Sequence, residues 1–385
     1  MRNNTSGLGR IGVALVAAAV LTIGATGIAT ADPNYNPDTG VGTVGDVPAG
    51  KTLPSQVIAG VGADAFAELT NNFANAYNNR AGATDPVLAS YDAVNPKTSA
   101  AGDTITPKPG CSLVRPNGAN GGLSEILKNN KSTVDTNAYC VDFVRASRAK
   151  KTDNSENALT FFAQSRDAVG YATIGNAYAP TKPLTQDQLR KIYTCQITDW
   201  SEVGGQAGDI HLYVQPSSAA TYTFWLQALG LTNGVVDVAG GCGAVGAAGS
   251  RQIMSQQNDG RTLQGDPQGI APYTISKWAA QENEVPGIRD LRGGADLGLI
   301  VTAAADVAVA PVITQGQYQV LNPAFSAANP AFSRYFFNAV RTADPNFAGL
   351  SAIFGPGGYL CTNQDALLVP YGNTPLGASC GSENP

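Results

Sequence analysis

Three stretches of the chain place small and polar residues between an apolar strand pattern and a helical pattern. In residues 210–230, Ile210, Leu212 and Val214 alternate with polar residues and predict a strand, and a helical pattern follows a loop of small residues. Such a loop directs backbone N–H groups and the positive end of a helix dipole toward one point, which suits an anion. The residue types therefore point to anion binding.

Two further stretches repeat this order. Residues 57–77 pass from an apolar strand through Gly62, Ala63 and Asp64 into a helix, and residues 113–127 pass through a Gly- and Asn-containing loop into another. We predict that the three loops converge on a ligand. The alternative is that they are the ordinary turns of an α/β protein.

Charged and hydroxyl side chains near these loops each have two interpretations. Arg145 and Arg148 form a bidentate clamp for a phosphate, phosphonate or carboxylate, or they are ion-pair partners within the protein. Arg115 contacts the ligand or pairs with an acidic neighbour. Asp64 caps the first helix or accepts a hydrogen bond from the ligand, and Thr221, like Ser217 and Ser218, donates to the ligand or caps its own helix.

Composition excludes several classes of protein. The chain has 385 residues, 43% of them apolar and 14% charged, with a formal net charge of −5. The length predicts two or three domains with a substantial core. A net negative charge disfavours binding to nucleic acid or to an anionic membrane, since both attract clustered Lys and Arg.

The first 31 residues resemble a secretory signal peptide. Arg2 and Arg10 precede an apolar stretch over residues 11–28, and the small residues 29–31 predict cleavage after Ala31. An uncleaved membrane anchor is the alternative. Because no cysteine lies near the cleavage point, we expect a secreted protein without a lipid anchor, beginning with a flexible leader over residues 32–50.

Six cysteines in an exported chain predict three disulfides. Their number does not fix the connectivity, but pairs close in sequence would each close a local loop: Cys111–Cys140, Cys195–Cys242 and Cys361–Cys380. No C-x-x-C pair suggests a metal site. His211 is the only histidine, and neither G-x-S-x-G nor H-E-x-x-H occurs, so we predict no enzyme, no metal and no cofactor.

Residues 184–200 carry the clearest helix signal. Thr185 is a good N-cap, Gln188 completes a capping box, and Leu184 with Leu189 forms a hydrophobic staple. Further along, residues 263–278 predict a strand passing into a helix, residues 299–301 and 307–309 predict strands, and residues 330–340 predict a helix.

Several motifs together resemble the substrate-binding proteins of phosphate-type ABC transporters, in the form found in actinobacteria. Residues 184–200 are similar to the family's L-T-x-x-Q-L helix, and residues 60–64, 115–120, 142–148 and 218–224 resemble its four ligand loops. The resemblance implies an α/β, two-lobed type II periplasmic-binding-protein-like fold with two crossings between the lobes, near residues 172–180 and 267–275. The lobes would comprise residues 51–175 with 271–385, and residues 176–270.

The resemblance also implies a function and a ligand set. A secreted monomer would trap a small anion, phosphate or phosphate-like, between the lobes and deliver it to an ABC permease. The implied ligand residues are Asp64, Ala65, Arg115, Gly118, Asn120, Arg145, Ser147, Arg148, Ser218 and Thr221.

The ligand loops depart from those of the family at several positions. Ala63, Ala119 and Ala219 stand where relatives have serine, Ala220 replaces a glycine, and Tyr222 replaces an arginine. Each lost hydroxyl removes a donor to an anion, about 1–3 kcal/mol. The departures motivate an alternative from another class, a secreted envelope or interaction protein that keeps the fold with a non-functional cleft. A secreted phosphate-ester hydrolase is a third hypothesis.

Overall fold

A computed structural model of the chain describes residues 34–36, 41–43, 46–84, 86–98, 100–175, 178–215, 219–231, 251–253, 257–285 and 287–385. The signal peptide, part of the leader, Ser217, Ser218 and Cys242 lie outside these ranges. Among the described helices, none is long and apolar enough to cross a membrane.

Strands and helices alternate over most of the described chain, as expected of an α/β protein. The strands are β1 (Asn34–Asn36), β2 (Val41–Thr43), β3 (Val57–Gly62), β4 (Val87–Ser90), β5 (Thr104–Ile105), β6 (Leu113–Val114), β7 (Phe143–Ala146), β8 (Leu159–Ile174), β9 (Leu184–Thr185), β10 (His211–Val214), β11 (Arg251–Ile253), β12 (Gly269–Thr274), β13 (Ala295–Leu297), β14 (Ile300–Val301), β15 (Val312–Gln315), β16 (Tyr318–Leu321) and β17 (Ser333–Arg341). The helices are α1 (Ala67–Asn78), α2 (Gly118–Leu127), α3 (Gln186–Tyr193), α4 (Ala220–Ala228), α5 (Arg261–Gln264), α6 (Ile275–Glu282), α7 (Pro323–Ala328), α8 (Phe347–Phe354), α9 (Tyr359–Thr362) and α10 (Gln364–Leu368).

A nine-stranded mixed sheet organises the molecule. Its strand order is β11-β10-β12-β8-β17-β7-β3-β4, and β13 also pairs with β8. The centre is antiparallel, because β8 pairs with both β12 and β17 in that sense. The two ends are parallel: β3 pairs with β4 and β7, and β10 pairs with β11 and β12. The loops that precede α1 and α4 therefore leave the carboxyl ends of parallel strands, where α/β sheets usually bind ligands.

Strand β8 connects two apolar cores. Leu159, Phe161 and Ala163 belong to a first core, formed with β3 and β7, and its later residues belong to a second core around α3, α4 and β10. Leu321 and Phe332, which the sequence assigns to the first lobe, lie in the second core. The lobe boundaries therefore stay a prediction.

Local patterns predicted the start of α3 correctly. The Thr185 side chain accepts a hydrogen bond from the Gln188 N–H at 3.0 Å, and the Gln188 side chain accepts one from the Thr185 N–H at 2.9 Å. This reciprocal capping box satisfies donors that have no intrahelical partner. Leu184 and Leu189 are fully buried in the second core.

The predicted helix over residues 330–340 is wrong. Residues 330–332 form a single 3₁₀ turn, and the rest is β17, which lies between β7 and β8 at the centre of the sheet. Phe336, Phe337 and Val340 are almost completely buried. A strand buried on both faces lacks a two-residue alternation, so an apolar run of this kind resembles a helix in sequence. The strand predicted at residues 307–309 is likewise absent there, and β15 begins at Val312.

Two of the predicted disulfides are confirmed, Cys111–Cys140 and Cys361–Cys380. Cys195 is also disulfide-bonded, but its predicted partner, Cys242, lies outside the described residues. The Cys111–Cys140 bond joins residues 29 positions apart beside the first core.

Removing the Cys111–Cys140 bond should lower the free energy of unfolding by about 3 kcal/mol, because the cross-link restricts the unfolded chain. Urea unfolding of the double variant Cys111→Ser, Cys140→Ser should show this against the unreduced parent. A double variant with the parent's urea midpoint and slope would contradict the prediction.

Candidate functional site

The three predicted ligand loops converge. Ala63, Ala119 and Ala220, one from each loop, belong to a single apolar cluster, and α2 contacts α4. The first loop needs glycine at Gly62, whose φ is +123° and where a Cβ would lie 2.5 Å from the Arg145 carbonyl oxygen. We refer to this cluster as the central cluster; it comprises Ala63, Ala65, Phe66, Leu69, Ala119, Ala220, Ala280, Val285, Phe336, Leu368 and Tyr371.

The point of convergence is apolar. The rings of Phe66 and Phe336 stack with centroids 4.4 Å apart and planes inclined by 14°. Ala63, Ala119 and Ala220 are each at most 2% exposed. Methyl groups therefore pack at Ala63 and Ala119, where the resemblance would place serine hydroxyls, and at Ala220, where it would place a glycine. The predicted ligand residue Ala65 is buried in the same cluster.

Asp64 does not cap α1. A 3₁₀ turn over residues 64–66 moves the start of the helix to Ala67, so Phe66 occupies the N-cap position and the capping interpretation of Asp64 is wrong. The Asp64 carboxylate instead lies 3.5 Å from the Asn258 side-chain amide. Its ligand role stays a prediction.

Arg115 is buried against Asp103. Its Nε lies 2.6 Å from Asp103 Oδ1, its Nη2 donates to Oδ2, and its Nη1 donates to the Asp92 carbonyl oxygen. Burial alone would raise the pKa of the Asp103 carboxyl, but the hydrogen bonds from Arg115 and Asn95 bring it below its ordinary value. These contacts favour the ion-pair interpretation of Arg115.

Arg145 is fully buried and holds together the carboxyl ends of β3 and β4. It donates to the Ala63 carbonyl oxygen at 3.0 Å, to Ser90 Oγ at 2.5 Å and to the Tyr91 carbonyl oxygen at 2.7 Å. Bonds from one guanidinium to two loop carbonyls fix the first ligand loop against its neighbour. The contacts favour a structural role, and the predicted clamp stays a hypothesis.

Arg148 lies closer to the surface and binds Glu156. Its two terminal nitrogens lie 3.0 and 2.6 Å from the Glu156 oxygens, and its Nε donates to Asn120 Oδ1 at 2.9 Å. Burial alone would raise the pKa of Glu156, but the hydrogen bonds from Arg148 and the Lys151 N–H lower it. Arg148 thus brings the second and third predicted loops together, with Ser147 buried beside it.

Thr221 belongs to a buried polar network that the sequence did not reveal. Its Oγ1 accepts from Arg334 Nη1 at 2.9 Å, and Arg334 also pairs with Asp167 at 2.7 Å and donates to Thr274 Oγ1 at 3.0 Å. Burial lowers the pKa of the Arg334 guanidinium, and Asp167 opposes that effect. The network, which we call the Asp167–Arg334 network, connects β8, β17, α4 and β12. In the sequence, the presence of Asp167 and Arg334 within the apolar strands β8 and β17 was the signal that could have predicted this network.

Lys277 is a further buried cation near the loops. It lies at the start of α6, forms an ion pair with Glu68 of α1, and is 5% exposed. Burial lowers the pKa of the amine, but Glu68 and Asp64 raise it by more. The sequence did not single out this residue.

The remaining predicted ligand residues lie at the second and fourth loops. Gly118 is the first residue of α2, with a φ of +75°, and Asn120 lies two residues further along the same turn. The N–H groups of this first turn have no intrahelical partner. Ser218 lies outside the described residues.

Comparison with known proteins assigns the chain to a family. Residues 33–333 match the family model described as the PBP superfamily domain, so the chain belongs to that superfamily of binding proteins. No curated protein matches the chain by sequence.

Two solved structures support the predicted fold. One, from Clostridium perfringens, is described as a phosphate ABC transporter substrate-binding protein with bound phosphate; it is 14% identical, has a TM-score of 0.54, and the match covers 83% of this chain and 99% of that one. The other is described as an ABC-type phosphate transport receptor from Vibrio cholerae. It is 17% identical, has a TM-score of 0.50, and the match covers 82% of this chain and 99% of that one. At such identities the likeness establishes the fold, which confirms the periplasmic-binding-protein-like class.

Proposed function

We propose that the protein is an exported receptor that binds a small anion, phosphate or phosphate-like, between two lobes and delivers it to an ABC permease. The observation that carries the proposal is the convergence of three loops, two of them opening directly into helices α2 and α4, in a protein of the PBP superfamily. The positive ends of helix dipoles and unpaired N–H groups attract anions. The relatives described as phosphate receptors support the ligand class.

The proposed mechanism is binding without bond chemistry. Arg148 and Thr221 supply side-chain donors beside the loops, and closure of the lobes around the ligand excludes water. Closure of this kind is a hinge movement at a few residues where the chain crosses between lobes. We place the lobes at residues 51–175 with 271–385 and at residues 176–270.

The proposal includes an extracellular location for a monomeric protein. Residues 1–31 would direct export and be removed after Ala31. The two disulfides described above support an oxidising compartment.

A second candidate function follows from the central cluster. The Phe66–Phe336 stack and the three buried alanines fill the point of convergence with apolar groups. An envelope or interaction protein that keeps the fold with a non-functional cleft would tolerate such a filling. An anion receptor needs its donors elsewhere in the cleft.

Thermal unfolding of residues 32–385 against a panel of anions distinguishes the two candidates. The panel contains phosphate, sulfate, phosphonates, phosphate esters and small carboxylates, and the protein is first dialysed free of phosphate. A receptor should gain about 2.7 kcal/mol of stability from a ligand at about 100 times its Kd, which raises Tm by several degrees. An unchanged Tm across the panel would reject the receptor and favour the non-functional cleft.

A further inference from the structure

A cavity of about 500 Å³ opens beside helix α4. Its walls come from the segment that follows β7, from α4 and from the first half of β17. The lining residues are Arg148, Ala149, Lys150, Lys151, Thr152, Asp153, Phe224, Gln227, Ser333, Arg334, Tyr335 and Phe337. We refer to it as the cleft cavity.

The cleft cavity lies where the two cores meet. Phe337 belongs to the first core, whereas Phe224 packs against the second. Arg334 lies between the two walls, with its guanidinium carbon 5.4 Å from the centre of the Phe224 ring. A molecule in this cavity would contact both cores at once, so a hinge movement would change its contacts.

The polar side of the cavity is cationic. Arg148, Lys150, Lys151 and Arg334 line it, against one lining carboxylate, Asp153. The charges of Arg148 and Arg334 are balanced by Glu156 and Asp167. Lys150 donates to the Leu159 carbonyl oxygen at 2.7 Å, and this neutral acceptor does not balance the charge of the ammonium. Lys151 is exposed at the rim.

Three of the residues that line the cavity are aromatic. Phe224, Tyr335 and Phe337 line it, and the Tyr335 and Phe337 ring centroids are 6.4 Å apart. The Tyr335 hydroxyl accepts a hydrogen bond from Arg166 at 3.0 Å, which fixes the ring. Rings held in this way offer apolar contact surface at a small entropic cost.

We propose that the cleft cavity binds the apolar body of an organic phosphate, a monoester of an aromatic or aliphatic alcohol, whose phosphate group faces Lys150 and Lys151. This inference rests on the proposed anion-receptor function and assigns its ligand class. Cavities of roughly 300–1,000 Å³ suit small organic ligands. An ion as small as phosphate would leave most of this cavity empty and the aromatic wall without a contact.

The cations of the cleft cavity and the apolar packing of the central cluster also support an organic phosphate as the ligand. The central cluster offers methyl groups where an inorganic oxyanion would need hydroxyl donors, and the cleft cavity offers ammonium groups beside rings. A phosphate ester needs both kinds of contact, since its two parts differ in polarity.

Isothermal titration with phenyl phosphate, hexyl phosphate and inorganic phosphate tests the inference. At least one ester should bind about tenfold more tightly than phosphate, because its apolar body is buried. Gln227→Trp, which places an indole on the exposed rim of the cavity, should abolish the difference. Lys151→Glu should weaken binding of the ester by roughly tenfold. Gln206→Trp and Lys182→Glu, at exposed sites away from the cavity, are the matched controls and should bind like the parent.

The outcomes separate this inference from the proposed function. Phosphate bound more tightly than either ester, and unaffected by Gln227→Trp, would overturn the assignment of the cavity and leave the anion receptor standing. Ester binding that Gln227→Trp and its control alter equally would also overturn it. If none of the three anions binds, both the inference and the proposed function fail.

Discussion

Replacing Asp167 with alanine should lower the free energy of unfolding by about 3–5 kcal/mol. Asp167 and Arg334 are buried, with side chains 0% and 2% exposed, and their ion pair is 2.7 Å long. The variant would leave the Arg334 charge inside the protein without its counter-ion. The Ser276 N–H and hydroxyl, which donate to Asp167 at 3.1 and 2.7 Å, would lose their acceptor as well. Urea unfolding at neutral pH measures the loss.

Asp187→Ala is the matched control for this variant. Asp187 is also paired, with Arg190 and Lys191 on the surface of α3, but its side chain is 53% exposed. Exposed pairs contribute little, so this change should cost about 1 kcal/mol or less. A loss for Asp167→Ala no larger than that of the control would contradict the prediction. The double variant Asp167→Leu, Arg334→Met should recover much of the stability, because apolar groups of similar volume often replace a buried ion pair without loss.

The Asp167–Arg334 network also bears on function, because it fixes Thr221. Arg334 Nη1 is the donor to Thr221 Oγ1, so loosening the network would change the position of this predicted ligand hydroxyl of the fourth loop. We expect the stability effect of Asp167→Ala to be accompanied by weaker anion binding. In β8, Asp167 lies between Ala163 of the first core and Ala168 of the second core.

Local signals in the sequence predicted the elements well where each signal acts within a few residues. The capping box of Thr185 and Gln188 fixed the start of α3, because both hydrogen bonds form within one turn. The strand-to-helix order at β3, β6 and β10 was confirmed for the same reason. Strand β17 was not predicted. Several of its pairing partners in β8 lie 170 or more positions away in the sequence, and burial on both faces removes the two-residue alternation of apolar and polar residues.

Local signals in the sequence could not predict the hydrogen-bond and ion-pair partners of the arginines. Arg145 and Arg148 are three residues apart in the sequence, and a clamp by both was a consistent interpretation. In the structure Arg145 is fully buried and donates to Ser90 Oγ and the Tyr91 carbonyl oxygen, while Arg148 pairs with Glu156 near the surface. The side-chain partners of Arg145 come from β4 and its following loop, more than 50 positions away. Such long-range pairings depend on the assembled sheet and leave no local pattern.

The substitution Arg145→Met distinguishes a structural arginine from a ligand arginine. We expect it to lower the free energy of unfolding by about 3–5 kcal/mol, because the Ala63 and Tyr91 carbonyl oxygens and Ser90 Oγ would lose a buried donor. The loss should be present in phosphate-free buffer, since the contacts are within the protein. Arg190→Met, at an exposed position on α3, is the control and should cost about 1 kcal/mol or less.

The dependence of this loss on anions decides between the two roles. If Arg145 binds the ligand, Arg145→Met keeps the parent's stability in phosphate-free buffer and loses only the stabilisation that an added anion provides. If Arg145 is structural, the variant is less stable than the parent in phosphate-free buffer. A variant that still folds is then stabilised by an added anion as much as the parent is. The second result would leave Arg148 as the arginine of the third loop nearest a ligand. It would also explain how the predicted first ligand loop keeps its conformation with Ala63 in place of the serine of relatives. Arg145 binds the carbonyl oxygen of Ala63, which does not depend on the side chain.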